Sequence, residues 1–352
     1  MTSTAAVFDT SELSTTNHAV ACEARAGLTR TPKSLSPWLF YDEAGSHLFE
    51  EITKLSEYYL TRTERALFEA HSLAILHEMG VDPAEKVADQ PQQPVQLRSR
   101  LAIAELGAGT ATKTGILLRA LASAQPHVVY QPIDVSASAL EQATALEGQI
   151  PGVRVKPRVG NYVADEYQLE RPRSTRVLAL YIGSSIGNFT PDAACSILAR
   201  LCKQLKPGDG LLLGTDLAPG PHKSVERLCA AYDDTQGVTA AFNRNILLRL
   251  NRELDTDFVS GNFAHVALWN SGESRIEMHL RSLLPQVVTI PANSSGPEIA
   301  VRFEAGETIH TEDSYKFTQE RVADLLVRSG FRVAKTFMDE LGLFALTLAK
   351  VP

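Results

Sequence analysis

The chain has 352 residues, of which 44% are hydrophobic and 21% are charged, and its formal net charge is −7 at pH 7. A chain of this length and composition buries enough core to fold as one large or two modest domains without disulfide staples. Its acidic balance and its lack of a basic cluster argue against a nucleic acid as partner.

The cysteines and histidines show no metal-binding pattern. The four cysteines are scattered and the nine histidines lack the spacing of metal ligands, so we expect no metal. The N-terminus lacks the basic start and apolar core of a targeting segment, and no apolar run reaches the roughly 18 residues of a membrane span. We therefore expect a cytoplasmic protein with no membrane partner, and a monomer.

The N-terminal part predicts a tail, a helix and a loop. Residues 1–20 are polar and patternless, which is typical of a frayed tail. Apolar residues at helical spacing predict a helix over about 61–80, and Thr61 and Glu64 have the spacing of a capping box at its start. Residues 82–98 are rich in proline and glutamine, which predicts an exposed loop.

A Gly-x-Gly turn between a strand and a helix is the most informative motif. The apolar strand 101–106 leads into Gly107 and Gly109, and a helix is predicted from about position 111. In α/β domains this arrangement brings backbone amides against a nucleotide-like ligand. A dinucleotide fingerprint would need a third glycine where this chain has Thr112, so the motif favours a ligand without a pyrophosphate.

Asp134 supplies a second element of the same predicted pocket. It ends the next predicted strand, 128–134, where such folds place the carboxylate that accepts from ribose hydroxyls. Gly107, Gly109 and Asp134 together therefore predict an adenosine pocket. Taken singly, a Gly-x-Gly also serves ordinary tight turns, and an acid after a strand often caps a helix.

Strands and helices alternate through the middle of the chain. The predicted strands lie at 101–106, 128–134, 153–159, 176–182 and 210–215, and the predicted helices at 111–124, 136–147 and 191–205. Such alternation predicts a mostly parallel sheet covered by helices on both faces, which is the α/β class.

The alternation stops near Ala218 and resumes close to the C-terminus. Residues 222–250 predict long helices, and 262–316 predict antiparallel strands. A helix at about 318–329 and two apolar runs then return to the α/β style. The middle block is therefore interpreted as an insertion, and we expect the N-terminal segment to pack with it.

The glycine turn, Asp134 and the closing strand pair resemble the class I S-adenosylmethionine-dependent methyltransferases, whose sheet is Rossmann-like. More specific stretches are similar to the histidine-specific methyltransferases, which trimethylate the α-amino group of L-histidine to hercynine in ergothioneine biosynthesis. These stretches are Thr31-Pro-Lys-Ser-Leu, Glu57-Tyr-Tyr-Leu-Thr-Arg-Thr-Glu, Gly183-Ser-Ser-Ile-Gly-Asn-Phe-Thr, the segment 231–245 and Thr311-Glu-Asp-Ser-Tyr-Lys-Phe.

The resemblance implies two domains. An α+β substrate-binding domain is expected from 21–63 and 222–316, and a methyltransferase domain that binds S-adenosylmethionine from 64–221 and 317–352. The small-molecule partner implied is L-histidine.

The resemblance also implies which residues hold the amino acid. Asn188 and Tyr232 would hold its carboxylate and amino end, Tyr58 would lie near its imidazole, and Glu312 and Ser314 would hydrogen-bond the two ring nitrogens. Asn188 and Tyr58 are the expected catalytic residues, because methyl transfer to an amine needs positioning more than a strong base.

The donor side follows from the same resemblance. Gly107 and Gly109 would face the methionine portion of the donor, Lys113 its carboxylate and Asp134 its ribose. At the adenine the family usually carries Asp-Phe, whereas this chain has Asn161 and Tyr162. An amide oxygen and a phenol ring can still accept from and stack on adenine, so we expect both residues to bind it.

The residues by themselves leave simpler readings open. Asn188 could cap the helix that follows it, and Tyr232 could be a core residue. Glu312 and Ser314 stand two apart on a predicted strand, so they could form an exposed polar face. For the whole chain, the alternatives are a methyltransferase of the same fold acting on a prenylated tryptophan, a nicotinamide-dependent oxidoreductase, and a non-catalytic nucleoside-binding module.

Overall fold

The computed structural model describes residues 10–81, 100–163 and 167–352, so the predicted loop at 82–98 lies outside the described residues. The helices are α1 (Thr10–Thr29), α2 (Glu43–Ile52), α3 (Tyr59–Glu78), α4 (Thr114–Ala124), α5 (Ala137–Thr144), α6 (Leu146–Gln149), α7 (Pro191–Gln204), α8 (Val225–Ala230), α9 (Val238–Leu254) and α10 (Gln319–Arg328). The strands are β1 (Lys33–Ser34), β2 (Arg100–Leu106), β3 (Val128–Asp134), β4 (Val153–Val155), β5 (Arg158–Val159), β6 (Thr175–Tyr181), β7 (Gly210–Asp216), β8 (Phe263–Asn270), β9 (Arg275–Ser282), β10 (Gln286–Ile290), β11 (Ile299–Phe303), β12 (Thr308–Tyr315), β13 (Arg332–Met338) and β14 (Phe344–Lys350).

The chain divides into two compact units. The first contains the residues up to Tyr58 together with Cys229–Asn270 and Ile276–Asp313, and the second contains Tyr59–Leu228, Ser271–Arg275 and Ser314–Pro352. Among the described residues, no helix combines the length and the apolar character needed to cross a membrane.

The second unit is built on one large sheet in the order β13-β14-β7-β6-β2-β3-β4, with β5 beside β3. The pairs from β7 through β4 and β5 are parallel, whereas β14 runs antiparallel to both β7 and β13. This arrangement confirms the predicted α/β class with a mostly parallel sheet. Because the strands are parallel, the ends of β2, β3 and β6 meet at one edge of the sheet.

The core of the second unit explains why its strands are continuous apolar runs. Every residue of β7 is buried, as expected for a strand covered on both faces. Leu198 and Leu201 of α7 and Leu326 of α10 belong to one buried cluster with Leu211 and Leu213 of β7. Thr190 begins α7 by accepting a hydrogen bond from the Ala193 N–H, and Pro191 follows at the first helical position.

The first unit combines helices with two smaller sheets. One sheet has the order β1-β12-β9-β8, and the other is the antiparallel pair β10-β11 on either side of a turn at Asn293. Helix α9 contacts α1, α2 and β8. Aromatic rings fill the space around α9, with Phe242 stacked on Phe40 at a centroid distance of 4.4 Å.

Several predicted elements differ in extent from those observed. Helix α1 begins at Thr10, inside the segment predicted to be a tail, and residues 1–9 lie outside the described part. The predicted strand 153–159 is divided into β4 and β5, because Pro157 between them has no N–H to donate to a neighbouring strand. The helical block 222–250 is divided into the short α8 and the longer α9.

Candidate active site

The glycine turn after β2 has the backbone conformation that only glycine adopts easily. Gly107 has φ +70° and Gly109 has φ +50°. A Cβ atom on Gly107 would lie 3.3 Å from the hydroxyl of Tyr162, whereas one on Gly109 would meet no atom of the described residues within 4 Å. The turn is therefore closed by Tyr162 on one side and open beside Gly109, which suits a ligand that approaches the backbone.

Asp134 joins the ends of β2 and β3. Its carboxylate accepts from the N–H of Gly109 at 2.9 Å and from the N–H of Ser136 at 2.9 Å. Ser136, not Asp134, caps α5, because the Ser136 hydroxyl accepts from the Ala139 N–H. The cap interpretation of Asp134 is therefore wrong, and its side chain stands at the glycine turn.

Asn161 and Tyr162 follow β5 at the same edge of the sheet. The side-chain oxygen of Asn161 accepts from the N–H of Val163 at 2.9 Å. The ring of Tyr162 meets that of Tyr181 edge to face at 5.6 Å, and burial raises the pKa of Tyr162 to about 12. Tyr162 is thus a fixed, neutral ring beside Gly107.

Lys113 lies just before α4, and its ammonium contacts the carboxylate of Glu64. Glu64 is fully buried and also accepts from the N–H of Gly183, at 2.8 and 3.0 Å. The predicted capping box is therefore wrong: α3 already begins at Tyr59, and the Glu64 side chain points to the strand ends rather than to a helix terminus. The local sequence pattern thus predicted a helix-capping role for Glu64, whereas the side chain lies beside Lys113 and Gly183.

Gly214 in the middle of β7 makes room for Glu64. A Cβ atom at Gly214 would lie 2.2 Å from the Oε1 atom of Glu64. Glycine inside a strand costs stability, and such a position often marks a close approach of another group. Here the approaching group is the buried carboxylate.

The loop after β6 carries Asn188. Gly183 and Ser184 have positive φ angles, and the Ser184 hydroxyl accepts from the Asp216 N–H at 2.9 Å. Thr190 caps α7, so the helix-cap interpretation of Asn188 is wrong. The half-buried amide of Asn188 has no hydrogen-bond partner within the described ranges, which leaves it available to a ligand.

The same loop links the predicted donor residues to β12. A Cβ atom at Gly183 would lie 3.6 Å from the Lys113 ammonium, and one at Gly187 would lie 2.7 Å from the carbonyl oxygen of Tyr315. Tyr315 directly follows Ser314 in the chain. Within the second unit, the loop that carries Asn188 thus lies close to the Lys113 ammonium at its start and to Tyr315, the last residue of β12, at Gly187.

Tyr58 and Tyr232 are neighbours within the first unit. Their rings meet edge to face at 6.3 Å, and they are only 8% and 6% exposed. Glu57 and Thr235 connect the two segments, since the Thr235 hydroxyl donates to the Glu57 carboxylate at 2.8 Å. Tyr232 lies beyond the end of α8, in a turn, so it is buried without being part of a helical core stripe.

His265 is a further residue beside Tyr232 that the sequence did not single out. Its Nε2 atom lies 2.8 Å from the Tyr232 carbonyl oxygen, and its Nδ1 atom lies 2.8 Å from the Asn243 amide nitrogen. Because the Asn243 nitrogen can only donate, Nδ1 accepts and Nε2 carries the proton. Burial lowers the pKa of His265, so the ring is a neutral donor that fixes the Tyr232 carbonyl.

Glu312 and Ser314 both lie on β12, where they are 8% and 4% exposed. The interpretation as an exposed polar face is therefore wrong. A carboxylate can only accept a hydrogen bond, whereas a hydroxyl can donate or accept one.

Comparisons with known proteins find a matching family and similar relatives. Residues 20–351 match the family described as histidine-specific methyltransferase, SAM-dependent. Over 328 residues the chain is 42% identical to the histidine N-alpha-methyltransferase of Mycolicibacterium smegmatis, covering 93% of each chain. Over 325 residues it is 41% identical to the histidine N-alpha-methyltransferase of Mycobacterium tuberculosis, covering 92% of each chain.

Among solved structures, the chain resembles an S-adenosylmethionine-dependent methyltransferase from Clostridium acetobutylicum. The TM-score is 0.46 at 10% sequence identity, and the match covers 87% of this chain and 98% of that chain.

Proposed function

Because the chain belongs to the family of histidine-specific, S-adenosylmethionine-dependent methyltransferases, we propose that it methylates the α-amino group of L-histidine three times to give hercynine. This reaction is a step of ergothioneine biosynthesis. The observation that carries the proposal is the 42% identity to a histidine N-alpha-methyltransferase over 93% of the chain. The cytoplasmic location and the monomeric state stay predictions from the sequence.

The donor is assigned to the second unit. S-adenosylmethionine, when bound, supplies a methyl group on a positively charged sulfur. Gly107, Gly109 and Lys113 would hold its amino-acid end, and Asp134 its ribose. The open space beside Gly109 and the carboxylate of Asp134 next to it support this assignment.

The adenine is assigned to Asn161 and Tyr162. A half-buried phenol ring gives a flat surface for stacking, and an amide oxygen is an acceptor that suits an amino group. The edge-to-face contact of the half-buried Tyr162 ring with Tyr181 supports a fixed ring at this place.

The amino acid is assigned to five residues. Asn188 and Tyr232 would bind the carboxylate and amino group, Tyr58 would lie near the ring, and Glu312 and Ser314 would hydrogen-bond the ring nitrogens. The amide of Asn188, which has no hydrogen-bond partner among the described residues, and the burial of the Glu312 side chain support this set. A site with one buried acceptor and one buried hydroxyl disfavours amino acids whose side chains cannot hydrogen-bond both groups.

Catalysis by these residues is mainly orientation. The amine attacks only in its neutral form, and nearby positive charge lowers its pKa. Asn188 and Tyr58 would hold the nitrogen lone pair in line with the methyl group, which removes much of the entropic barrier. The ammonium of Lys113, fixed by Glu64, would hold the donor end that lies away from the reacting atoms.

The test is mass spectrometry of the purified chain incubated with S-adenosylmethionine and L-histidine. We expect products carrying one, two and three methyl groups, with the last accumulating. A reaction with a prenylated tryptophan and none with histidine would instead support the alternative methyltransferase. Binding of a nicotinamide dinucleotide in place of S-adenosylmethionine would overturn both.

A further inference from the structure

The backbone of Tyr232 lies in an irregular segment of the first unit, between α8 and α9. The Tyr232 N–H donates to the carbonyl oxygen of Cys229 at 2.9 Å. At the far end of the segment, the Asp234 carboxylate accepts from the N–H groups of Val238 and Thr239, at 3.0 and 2.7 Å. Because the segment is neither helix nor strand, the position of Tyr232 depends on individual contacts of this kind.

His265 on β8 makes one of these contacts. Its side chain is only 2% exposed, and its Nε2 atom lies 2.8 Å from the carbonyl oxygen of Tyr232. A carbonyl oxygen can only accept a hydrogen bond, so Nε2 must carry the proton that is shared with it.

Asn243 on α9 sets the state of the other ring nitrogen. Its fully buried amide nitrogen lies 2.8 Å from His265 Nδ1 and donates to the carbonyl oxygen of His279 at 3.1 Å. The His279 carbonyl disfavours the reversed amide, since two oxygen atoms would then face each other. The amide nitrogen therefore faces Nδ1, which has to accept from it.

The two neighbours of the ring thus select one of its three forms. A neutral imidazole that is protonated at Nε2 satisfies both Asn243 and the Tyr232 carbonyl. The other neutral tautomer and the imidazolium would each direct an N–H against the Asn243 NH₂ group. Burial lowers the pKa of His265, which also favours a neutral ring.

We propose that His265 is a positioning residue for the amino-acid site: Asn243 fixes its tautomer, and its Nε2–H holds the backbone of Tyr232 in place for the substrate. The inference rests on the proposed function, in which Tyr232 binds L-histidine. Neither the proposed reaction nor the family resemblance gives His265 or Asn243 a role.

Two variants distinguish the two ends of the ring. A glutamine side chain can bring an amide N–H to the place of Nε2, whereas the shorter asparagine places its polar atoms near Nδ1. His265→Gln therefore keeps a donor to Tyr232, and His265→Asn removes it while keeping a partner for Asn243. The control is Asn251→Ala, which removes the hydrogen bonds to the backbone of Phe258 near the end of α9.

We expect the KM for L-histidine to rise about tenfold in His265→Asn, because the Tyr232 carbonyl loses its donor and the segment can shift. In His265→Gln the KM should stay within about threefold of the wild type. Asn251→Ala should lower the unfolding free energy in urea and leave this KM unchanged. The affinity for S-adenosylhomocysteine, measured by calorimetry, should be the same in all three variants.

Nitrogen NMR of the wild type with isotope-labelled histidine residues tests the ring directly, because protonated and bare ring nitrogens resonate at clearly different positions. His265→Gln identifies the His265 signals by their disappearance. At neutral pH we expect a bare Nδ1 and a protonated Nε2. This measurement needs no substrate and no folded variant with lower affinity.

A protonated Nδ1 at neutral pH would overturn the inference, and so would equal KM values in folded His265→Asn and His265→Gln. A merely structural role would lower the unfolding free energy, as in Asn251→Ala, without separating these KM values. If His265→Asn shows no unfolding transition in urea, His265→Leu, which also lacks the donor, replaces it with the same expectation. A wild type with the expected ring form that does not methylate L-histidine would refute the proposed function instead, so the two failures are distinguishable.

Discussion

The carboxylate of Glu64 contacts the ammonium of Lys113 and accepts from the backbone N–H of Gly183. Glu64 comes from helix α3, Lys113 from the turn before α4, and Gly183 from the loop after β6. One fully buried carboxylate therefore contacts two other segments at the edge of the sheet to which S-adenosylmethionine is assigned.

Glu64→Gln tests this connection. The amide can still accept from Gly183, but its NH₂ group cannot pair with Lys113, so the ammonium loses its fixed position. We expect the KM for S-adenosylmethionine to rise about tenfold, the scale of one lost charged hydrogen bond. The matched control is Glu69→Gln, which removes an exposed acid of the same helix that pairs with Arg65. An equal rise in both variants would contradict the role of Glu64.

Asn188→Ala tests the orientation of the amine. We expect the kcat at saturating histidine to fall at least tenfold, because near-attack geometry is lost while the fold is kept. Thr190→Ala is the control, since it removes the cap of α7 two residues later and should cost about 1 kcal/mol of unfolding free energy. Unchanged turnover in Asn188→Ala would remove it from the catalytic set.

Glu312→Ala tests histidine recognition. The ring N–H would lose its acceptor, so the KM for histidine should rise by tenfold or more and discrimination against aromatic amino acids should weaken. Asp313→Asn, which alters the neighbouring acid that contacts His310 at 3.0 Å, should keep the specificity. Competition assays with histidine and phenylalanine measure the ratio, and an unchanged ratio in Glu312→Ala would refute the assignment.

The buried carboxyl of Glu105 should make the free energy of unfolding depend on pH. Its carboxyl is buried and accepts from Thr114 at 2.8 Å and from Tyr130, and burial raises its pKa from 4.5 to about 7. A raised pKa means that the folded state favours the protonated acid. The stability that the protonated Glu105 contributes to the folded state is complete below pH 4.5 and is lost as the pH rises through 7.

Glu105→Gln should therefore remove part of the decline in unfolding free energy between pH 5 and 8. The shift corresponds to roughly 3 kcal/mol at most, since one pKa unit is about 1.4 kcal/mol. Urea unfolding at several pH values measures the slope, with Glu141→Gln, an exposed acid, as control. Equal slopes in the wild type and Glu105→Gln would show that another group is responsible.

The sequence predicted the parts of the molecule that depend on local pattern. Strand-helix alternation predicted the parallel sheet, and the family motifs predicted the histidine-specific methyltransferase family, which the match over residues 20–351 confirms. The breaks within elements were missed where one residue overrides the pattern, as Pro157 does between β4 and β5.

The rest depends on contacts between residues distant in the chain. Glu64 has the spacing of a capping residue, and only the fold shows that its carboxylate lies beside Gly183, which is 119 positions away. Lys316 is a lysine after a strand, and nothing in the local pattern indicates that it is buried against Asp216. The predicted roles of the site residues stay predictions until the variants above are measured.

Gly214 gives the donor region a rule that applies beyond this chain. Even a methyl group at position 214 would overlap the Glu64 carboxylate. A larger residue at position 214 therefore requires a smaller one at position 64. A relative that carries alanine or a larger residue at the position of Gly214 is expected to lack the acid at the position of Glu64, and to hold its lysine ammonium by another means.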